Sequence, residues 1–329
     1  MRLIFRKLTE IIVKNKLIFL LIWIIVISVS LFFLFGDNKE NNEIELSGAN
    51  NTDAAKLEKI LINDFKIKSG NSAAIVIDKK VNTDLLVFEL KTKFPQIANI
   101  SNLQSEKKHN YQLLYIEFKQ RYLFVEVQSL TKEIRDLFKQ YQKKYSTKIY
   151  LTGNSAFYYD MKDSGKKDSA KGEIFALFCS LIILIFNFGA LVSALIPILI
   201  GASTIIISNA IIKIFSIKII PISQVMSGLV GLALSIDYSL FIVNRFREEL
   251  KKENLNQDGY QALVASMINS GKTILISALI MICSVSVLLI PDVSSSKIVV
   301  KNLLIVIVIS FINSVIFLPV FLIYTKNLL

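Results

Sequence analysis

An aspartate followed directly by a tyrosine lies in the middle of a long apolar stretch of this chain. Asp237 and Tyr238 belong to a segment, 219–243, that contains no other ionisable residue and is mostly aliphatic. An acid at the centre of a membrane helix costs about 2.5–3.5 kcal/mol on insertion scales, so we expect such a residue to have a function. The functions that most often require one are the movement of protons and of other ions.

A carboxyl group in apolar surroundings can bind and release protons near neutral pH. Each charge that crosses the membrane gains about 2.3 kcal/mol for every 100 mV of potential. An acid with alternating access to the two sides could therefore drive transport, and we predict this role for Asp237, with Tyr238 as its hydrogen-bonding partner. The alternative is an aspartate that is hydrogen-bonded inside a helix bundle and does not exchange its proton.

Small residues recur every four positions along the same segment. They are Ser227, Gly231, Ser235 and Ser239, and such a stripe allows a second helix to approach closely. At 100° per residue, Asp237 points roughly 140° away from the middle of the stripe. We therefore predict a helix that packs through the stripe and directs its acid towards a bundle interior or a polar cavity.

Apolar runs dominate the whole chain, which has 329 residues, 53% of them hydrophobic, and a mean hydropathy of +0.53. The longest run would form a helix of about 58 Å, nearly twice a bilayer core of about 30 Å, and we divide it at 187–189. Six transmembrane helices are therefore predicted. The runs are 17–36, 174–212, 219–236, 273–291 and 301–324.

The net charge of +12 does not indicate a nucleic-acid partner, because many basic residues lie at the ends of the apolar runs. By the positive-inside rule, the N-terminal residues 1–16 and the segment after helix 4 are predicted to be cytoplasmic. The C-terminal residues 326–329 then also lie inside. The pattern indicates a multi-pass protein of the cell (plasma or inner) membrane.

The predicted organisation has five parts, of which the cytoplasmic termini 1–16 and 326–329 are two. Helix 1 covers 17–36, a polar block at 37–172 is extracytoplasmic, and helices 2–6 lie within 173–325. The only sizeable cytoplasmic loop is predicted at 244–272, either as an amphipathic surface segment or as a plain helical connector.

The polar block alternates strand and helix signals. Strands are predicted at 73–77, 111–118 and 148–151, and helices at 52–65, 84–94 and 125–145. The order strand-helix-strand-strand-helix-strand is that of the split βαβ, or ferredoxin-like, fold. We therefore predict one extracytoplasmic α+β domain on a polytopic α-helical membrane protein.

Other reactive residues give weaker signals, and we predict neither an enzyme nor a metal or organic cofactor. His109 is the only histidine, and Cys179 and Cys283 fall inside predicted helices. Asp160 has no second membrane acid with which to form an aspartyl protease pair. No GxxxxGK[ST] phosphate-binding loop occurs, so a proton gradient rather than ATP is the expected energy source. Serines of helix 5 could contact the relay or simply pack; they are Ser277, Ser284 and Ser286.

The sequence around the acid, Gly-Leu-Ala-Leu-Ser-Ile-Asp-Tyr-Ser-Leu-Phe-Ile-Val-Asn-Arg-Phe-Arg-Glu-Glu-Leu at 231–250, resembles the helix 4 signature of a known family. This is the mycobacterial membrane protein large (MMPL) family of the resistance-nodulation-division (RND) superfamily. Three further segments resemble it, the start of helix 5 at 270–277, the end of helix 6 at 317–319 and the end of the porter domain at 151–156 with Asp160.

The resemblance implies proton-driven export of lipids or other hydrophobic molecules, with membrane lipids as neighbours. It implies that Asp237 carries the proton, that Tyr238 is its hydrogen-bonding partner and that Phe241 lines the same channel, with Ser277 as a further lining residue. Family members of twelve helices carry two such acid–tyrosine pairs, whereas this sequence holds one. We therefore hypothesise that a second copy or a related six-helix half completes the transporter.

Two other functions remain open. One is an auxiliary proton-driven motor for protein secretion, as in the related SecD/SecF pair. The other is a membrane sensor or scaffold that transports nothing and binds a lipid or a partner through its exported domain.

Overall fold

The chain forms two compact units, which are described separately. A computed structural model describes residues 2–36, 53, 56, 57, 60, 64, 72–78, 82–103, 111–119, 124–217, 219–252, 259–291 and 293–326. The helical unit comprises 1–41 and 165–329, and the sheet unit comprises 42–164.

Helices α1 to α10 are numbered in chain order among the described residues. They are α1 Arg2–Lys14, α2 Lys16–Phe35, α3 Thr83–Lys93, α4 Phe124–Tyr145, α5 Asn154–Phe188, α6 Leu191–Ile214, α7 Pro221–Lys252, α8 Tyr260–Ser286, α9 Ser294–Ile312 and α10 Leu318–Thr325. A 3₁₀ turn, Val287–Leu289, follows α8, and a π-helical turn, Asn313–Phe317, joins α9 to α10.

Six described helices are long and apolar enough to cross a membrane, as predicted. They are α2, α5, α6, α7, α8 and the continuous segment from α9 to α10. The predicted division at 187–189 is confirmed, because α5 ends at Phe188 and α6 begins at Leu191. Gly189 makes the turn between them with a φ of +64°, a conformation that glycine adopts without a steric penalty.

The centre of the helical unit is formed by α6, α7 and the α9–α10 segment, each of which buries half or more of its most apolar stretch. In contrast, α2, α5 and α8 bury about a tenth or less and surround this centre. Close packing depends on glycine at one crossing, where a Cβ on Gly231 would lie 2.5 Å from Val306 Cγ1. The unit therefore has a packed interior with a largely apolar outer surface.

The loop predicted at 244–272 is mostly helix, as in the alternative of a plain helical connector, because α7 extends to Lys252 and α8 begins at Tyr260. Leu263 and Met267 of α8 are fully buried. The N-terminal segment is itself a helix, α1, and the Phe5 ring occupies the space beside Gly271 of α8. Phe5, Leu263 and Met267 thus belong to the apolar core of the helical unit.

The described part of the sheet unit forms four strands, β1 Ser72–Asp78, β2 Ile97–Leu103, β3 Tyr111–Phe118 and β4 Ile149–Thr152. Their order in the sheet is β2-β3-β1-β4, and every neighbouring pair is antiparallel. Alternate residues of β1 are buried, as expected for a sheet with one covered face. The buried side chains of the strands join those of α3 and α4 in one core.

Predicted and observed elements of this unit agree for β1, β3 and β4 and for α3 and α4. Strand β2 had no predicted residue range, because its sequence at 97–103 lacks clear alternation. Most of the predicted helix 52–65 lies outside the described residues. His109 also lies outside them. Helix α5 begins at Asn154, well before the end of the block predicted at 37–172.

Candidate functional site

Asp237 lies near the midpoint of α7, a helix of 32 residues. Its side chain is exposed at the outer surface of the helical unit, whereas the sequence predicted a bundle interior or a polar cavity. Among the described residues, no side chain forms an ion pair or hydrogen bond with this carboxyl group. The described part of one chain therefore leaves the acid without a polar partner.

The surface around the acid is apolar. Exposed residues of α7 recur every three or four positions and form one stripe along the helix; we call it the acid face. Its members are Ile222, Met226, Leu229, Ala233, Asp237 and Phe241. Apart from Asp237 it contains no polar side chain, so a membrane or another protein surface must cover it.

The opposite side of α7 faces the unit's interior. Ser227, Ser235 and Ser239 are at most 2% exposed, and Gly231 is buried against Val306. Ser235 Oγ donates to Thr204 Oγ1 on α6 at 2.9 Å, and Ser310 Oγ on α9 donates to the Gly231 carbonyl oxygen at 3.3 Å. The small residues thus hold α7 against α6 and α9.

Tyr238 is buried beside the acid face, at 3% exposure. Its hydroxyl group has no hydrogen-bond partner among the described residues. The hydroxyl oxygen is itself buried, so a group outside the chain could reach it only after the side chain shifts.

The other predicted channel residues lie on the outer surface. Phe241 is 56% exposed, one turn from Asp237, and Ser277 is exposed on α8. The helix pair is joined nearby, where Ser270 Oγ donates to the Phe241 carbonyl oxygen at 3.2 Å. The structure thus brings Asp237, Tyr238, Phe241 and Ser277 to one side of the α7–α8 pair.

A buried polar cluster in the interior was not predicted. Asn313 Nδ2 donates to Ser203 Oγ at 3.1 Å and to Thr204 Oγ1 at 2.8 Å. Both hydroxyl groups in turn donate to the Ile200 carbonyl oxygen. Asn313 also begins the π-helical turn, a feature that often marks functional sites. The sequence offered only one signal, an asparagine in an apolar run.

The remaining candidates have structural surroundings. Asp160 accepts two hydrogen bonds from Arg135, one of them from Nη2 at 2.7 Å. Ser284 and Ser286 donate to carbonyl oxygens of their own helix. Cys179 and Cys283 are free. Within the described residues, no group of histidine, cysteine and acidic side chains could hold a metal ion.

The six apolar helices define a multi-pass membrane protein. The sequence model of the MMPL family matches residues 103–325, and the chain belongs to this family.

Two relatives from Mycolicibacterium smegmatis are named as exporters. The mycolic acid-containing lipids exporter MmpL11 is 33% identical over 142 residues, which cover 42% of this chain and 14% of the relative. The trehalose monomycolate exporter MmpL3 is 31% identical over 148 residues, which cover 44% and 14%. The chain thus matches a small part of these longer transporters, which are not enzymes.

The fold is also similar to that of SecDF, a translocon-associated membrane protein from Thermus thermophilus. The TM-score is 0.51 at 13% identity, over 98% of this chain and 38% of the other. At this identity the likeness concerns the fold alone.

Proposed function

We propose that the protein is one half of a proton-driven exporter of lipids or other hydrophobic molecules. The observation that carries this proposal is the place of Asp237, a lone acid in the middle of the exposed apolar acid face. Family membership and the names of the two exporters support the substrate class.

An ionised aspartate in contact with lipid tails lacks both water and a counter-charge, at a cost of about 2.5–3.5 kcal/mol or more. Covering the acid face with a second six-helix half would bring two acids and two tyrosines together in a protein interior. The Tyr238 hydroxyl, which has no partner among the described residues, could then donate to the other half's acid once its side chain turns towards the acid face. Transporters commonly place such sites between related halves.

In this mechanism, a proton entering between the halves neutralises Asp237 and removes its need for a polar partner. Tyr238 is released, and the two halves shift against each other. Release of the proton on the other side of the membrane restores the charge of Asp237 and its hydrogen bond with Tyr238. The sheet unit, for which the strand order and antiparallel pairing support the ferredoxin-like class, would take up substrate from the outer leaflet.

Cysteine cross-linking tests the paired arrangement. In a chain with Cys179 and Cys283 replaced by serine, Ala233→Cys on the acid face should form a disulfide-linked pair in native membranes. Phe186→Cys, 86% exposed on α5 before substitution, is the matched control and should remain uncross-linked. The mass of the product distinguishes a second copy from a related half. Monomers alone, or equal cross-linking at both positions, would contradict the proposal.

Lipid movement tests the transport function. Proteoliposomes made with lipids of the source membrane should transfer lipid between leaflets when a pH gradient is imposed. Asp237→Asn should abolish the transfer without changing folding, whereas Glu248→Gln, at the end of the same helix, should not. Retained activity in Asp237→Asn would instead favour a sensor or scaffold.

A second candidate is an auxiliary proton-driven motor for protein secretion. The similarity of the fold to SecDF supports it, although the sequence around the acid favours the lipid exporters. Delayed maturation of secreted proteins in a deletion strain, with normal lipid export, would favour this alternative.

A further inference from the structure

A second carboxyl group of the helical unit lies directly against the backbone of α7. Glu173 of α5 has its Oε1 atom 2.1 Å and its Cδ atom 3.0 Å from the position that a Cβ on Gly228 would take. The carboxyl group thus fills the space that any larger residue at 228 would need. Glycine at this position creates a seat for Glu173 on α7.

The seat provides one hydrogen-bond donor among the described residues. Ser169, 3% exposed on the preceding turn of α5, donates from Oγ to Glu173 Oε1 at 2.8 Å. Backbone N–H groups in the middle of α7 are used by the helix itself. The carboxyl group is therefore held by a single hydroxyl group.

No cation within the described residues balances a charge on Glu173. On α7, the residues from Pro221 to Ile236 include no titratable group. Lys171 of α5 and Lys301 of α9, the helix that packs beside α7, are exposed. Among the described residues, Glu173 forms no ion pair, and its one side-chain hydrogen bond is the bond from Ser169.

A carboxylate withdrawn from water needs several donors or a cation to offset the lost hydration. The seat on Gly228 offers neither, whereas a protonated carboxyl group needs less compensation and can itself donate a hydrogen bond. The seat therefore suits the protonated form, and ionisation would favour a side chain that leaves for water or lipid headgroups.

We propose that Glu173 is a second proton-binding residue of the helical unit, and that its protonation fastens α5 to α7. It is a positioning residue rather than a link in the Asp237 relay. Gly228 and Asp237 lie nine residues apart, which places them on opposite faces of α7 and about 13.5 Å apart along its axis. The inference rests on the proposed function only in that α7 carries the relay acid.

Infrared spectroscopy of the reconstituted full chain tests proton binding without requiring transport. In an Asp237→Asn background, the C=O band of protonated carboxyl groups should include a component that disappears as the pH rises. Adding Glu173→Gln, which keeps the shape of the side chain, should remove that component. Identical pH-difference spectra with and without Glu173→Gln would overturn the proposal, whatever the transport assays show.

The α5–α7 distance provides the second readout. Spin labels on cysteines placed at Phe178 and Ile222, in a chain without Cys179 and Cys283, should report a narrow distance distribution at low pH and a broader one at high pH. Glu173→Gln should hold the low-pH form at every pH, and Gly228→Ala, which blocks the seat, should resemble the high-pH form. A distribution that responds to pH equally in Glu173→Gln would overturn the proposal.

Discussion

The roles of some residues in this protein can be predicted from the sequence alone, and the roles of others cannot. Asp237 stands out because no other acid lies within its apolar run. Glu173 does not stand out, because it lies two positions after Lys171 at the edge of the apolar run 174–212 and resembles an ordinary interfacial residue. Only its contact with Gly228, which lies 55 positions later in the chain, shows that it points inward. Asn313 was missed for the same reason, since its partners Ser203 and Thr204 lie on another helix.

Gly231 permits the closest approach between α7 and α9, so we predict that Gly231→Ala destabilises the helical unit. The new Cβ would lie 2.5 Å from Val306 Cγ1, and overpacking of this kind costs about 1–3 kcal/mol. Thermal unfolding in detergent, followed by circular dichroism, should show the loss, and adding Val306→Ala should restore part of it. Gly172→Ala, where the new Cβ would lie 3.9 Å from Leu229 Cδ2, is the matched control; equal melting of the two single variants would contradict this packing.

At the scale of elements, β1, β3, β4, α3 and α4 followed from alternation and amphipathic periodicity, because each depends on a local pattern, whereas β2 lacks one. The extents of α7 and α8 did not, since charged residues that suggest a loop also suit helix ends in water. Arg245 illustrates this, as it pairs with Glu248 and Glu249 within α7. Such local pairs support a helix beyond the apolar run.

The first turns of α5 are fastened to α4 by the Arg135–Asp160 ion pair. Arg135 also donates to the Leu151 carbonyl oxygen of β4 at 3.4 Å. We predict that Arg135→Lys, which loses the two-pronged geometry, costs up to about 1 kcal/mol because the pair is partly exposed. Hydrogen exchange at residues 154–160 should accelerate, whereas Lys139→Ala, which removes an exposed pair with Asp136, should leave it unchanged. Unchanged exchange in Arg135→Lys would contradict a fastening role.

A hydrogen bond between α4 and α3 should make the sheet unit sensitive to high pH. The Tyr141 hydroxyl donates a hydrogen bond to Glu89 Oε2 at 2.6 Å. Burial, and to a smaller extent this hydrogen bond, raise the pKa of Tyr141 from 10.0 to about 12. The unfolded chain then loses the proton at lower pH than the folded one. The contribution of Tyr141 is therefore complete below pH 10 and is lost as the pH rises towards 12.

Tyr141→Phe should accordingly cost about 0.5–1.5 kcal/mol at neutral pH and flatten the decline in stability between about pH 10 and 12. Urea unfolding, monitored by hydrogen exchange in α3 and α4, measures both effects. Tyr145→Phe, on the next turn, provides the control. A decline of the same steepness in Tyr141→Phe and in the unaltered chain would count against this bond as the cause.

At the scale of the whole molecule, the number of membrane helices and the family could be predicted from composition and motif. The direction of Asp237 could not, because helical periodicity gives the angle between two faces and not which face meets other helices. The structure of one chain places the small residues inside and the acid outside. The second half proposed above would account for this arrangement, since it would turn the acid face into an interior.

Proton movement through reconstituted protein tests the central claim most directly. Vesicles that contain the chain, a lumenal pH-sensitive dye and lipids of the source membrane receive an acidic external medium. We expect faster lumenal acidification than in empty vesicles for the unaltered chain and for Glu248→Gln, and the empty-vesicle rate for Asp237→Asn. Acidification by Asp237→Asn at the rate of the unaltered chain would contradict the role of Asp237 as the proton carrier.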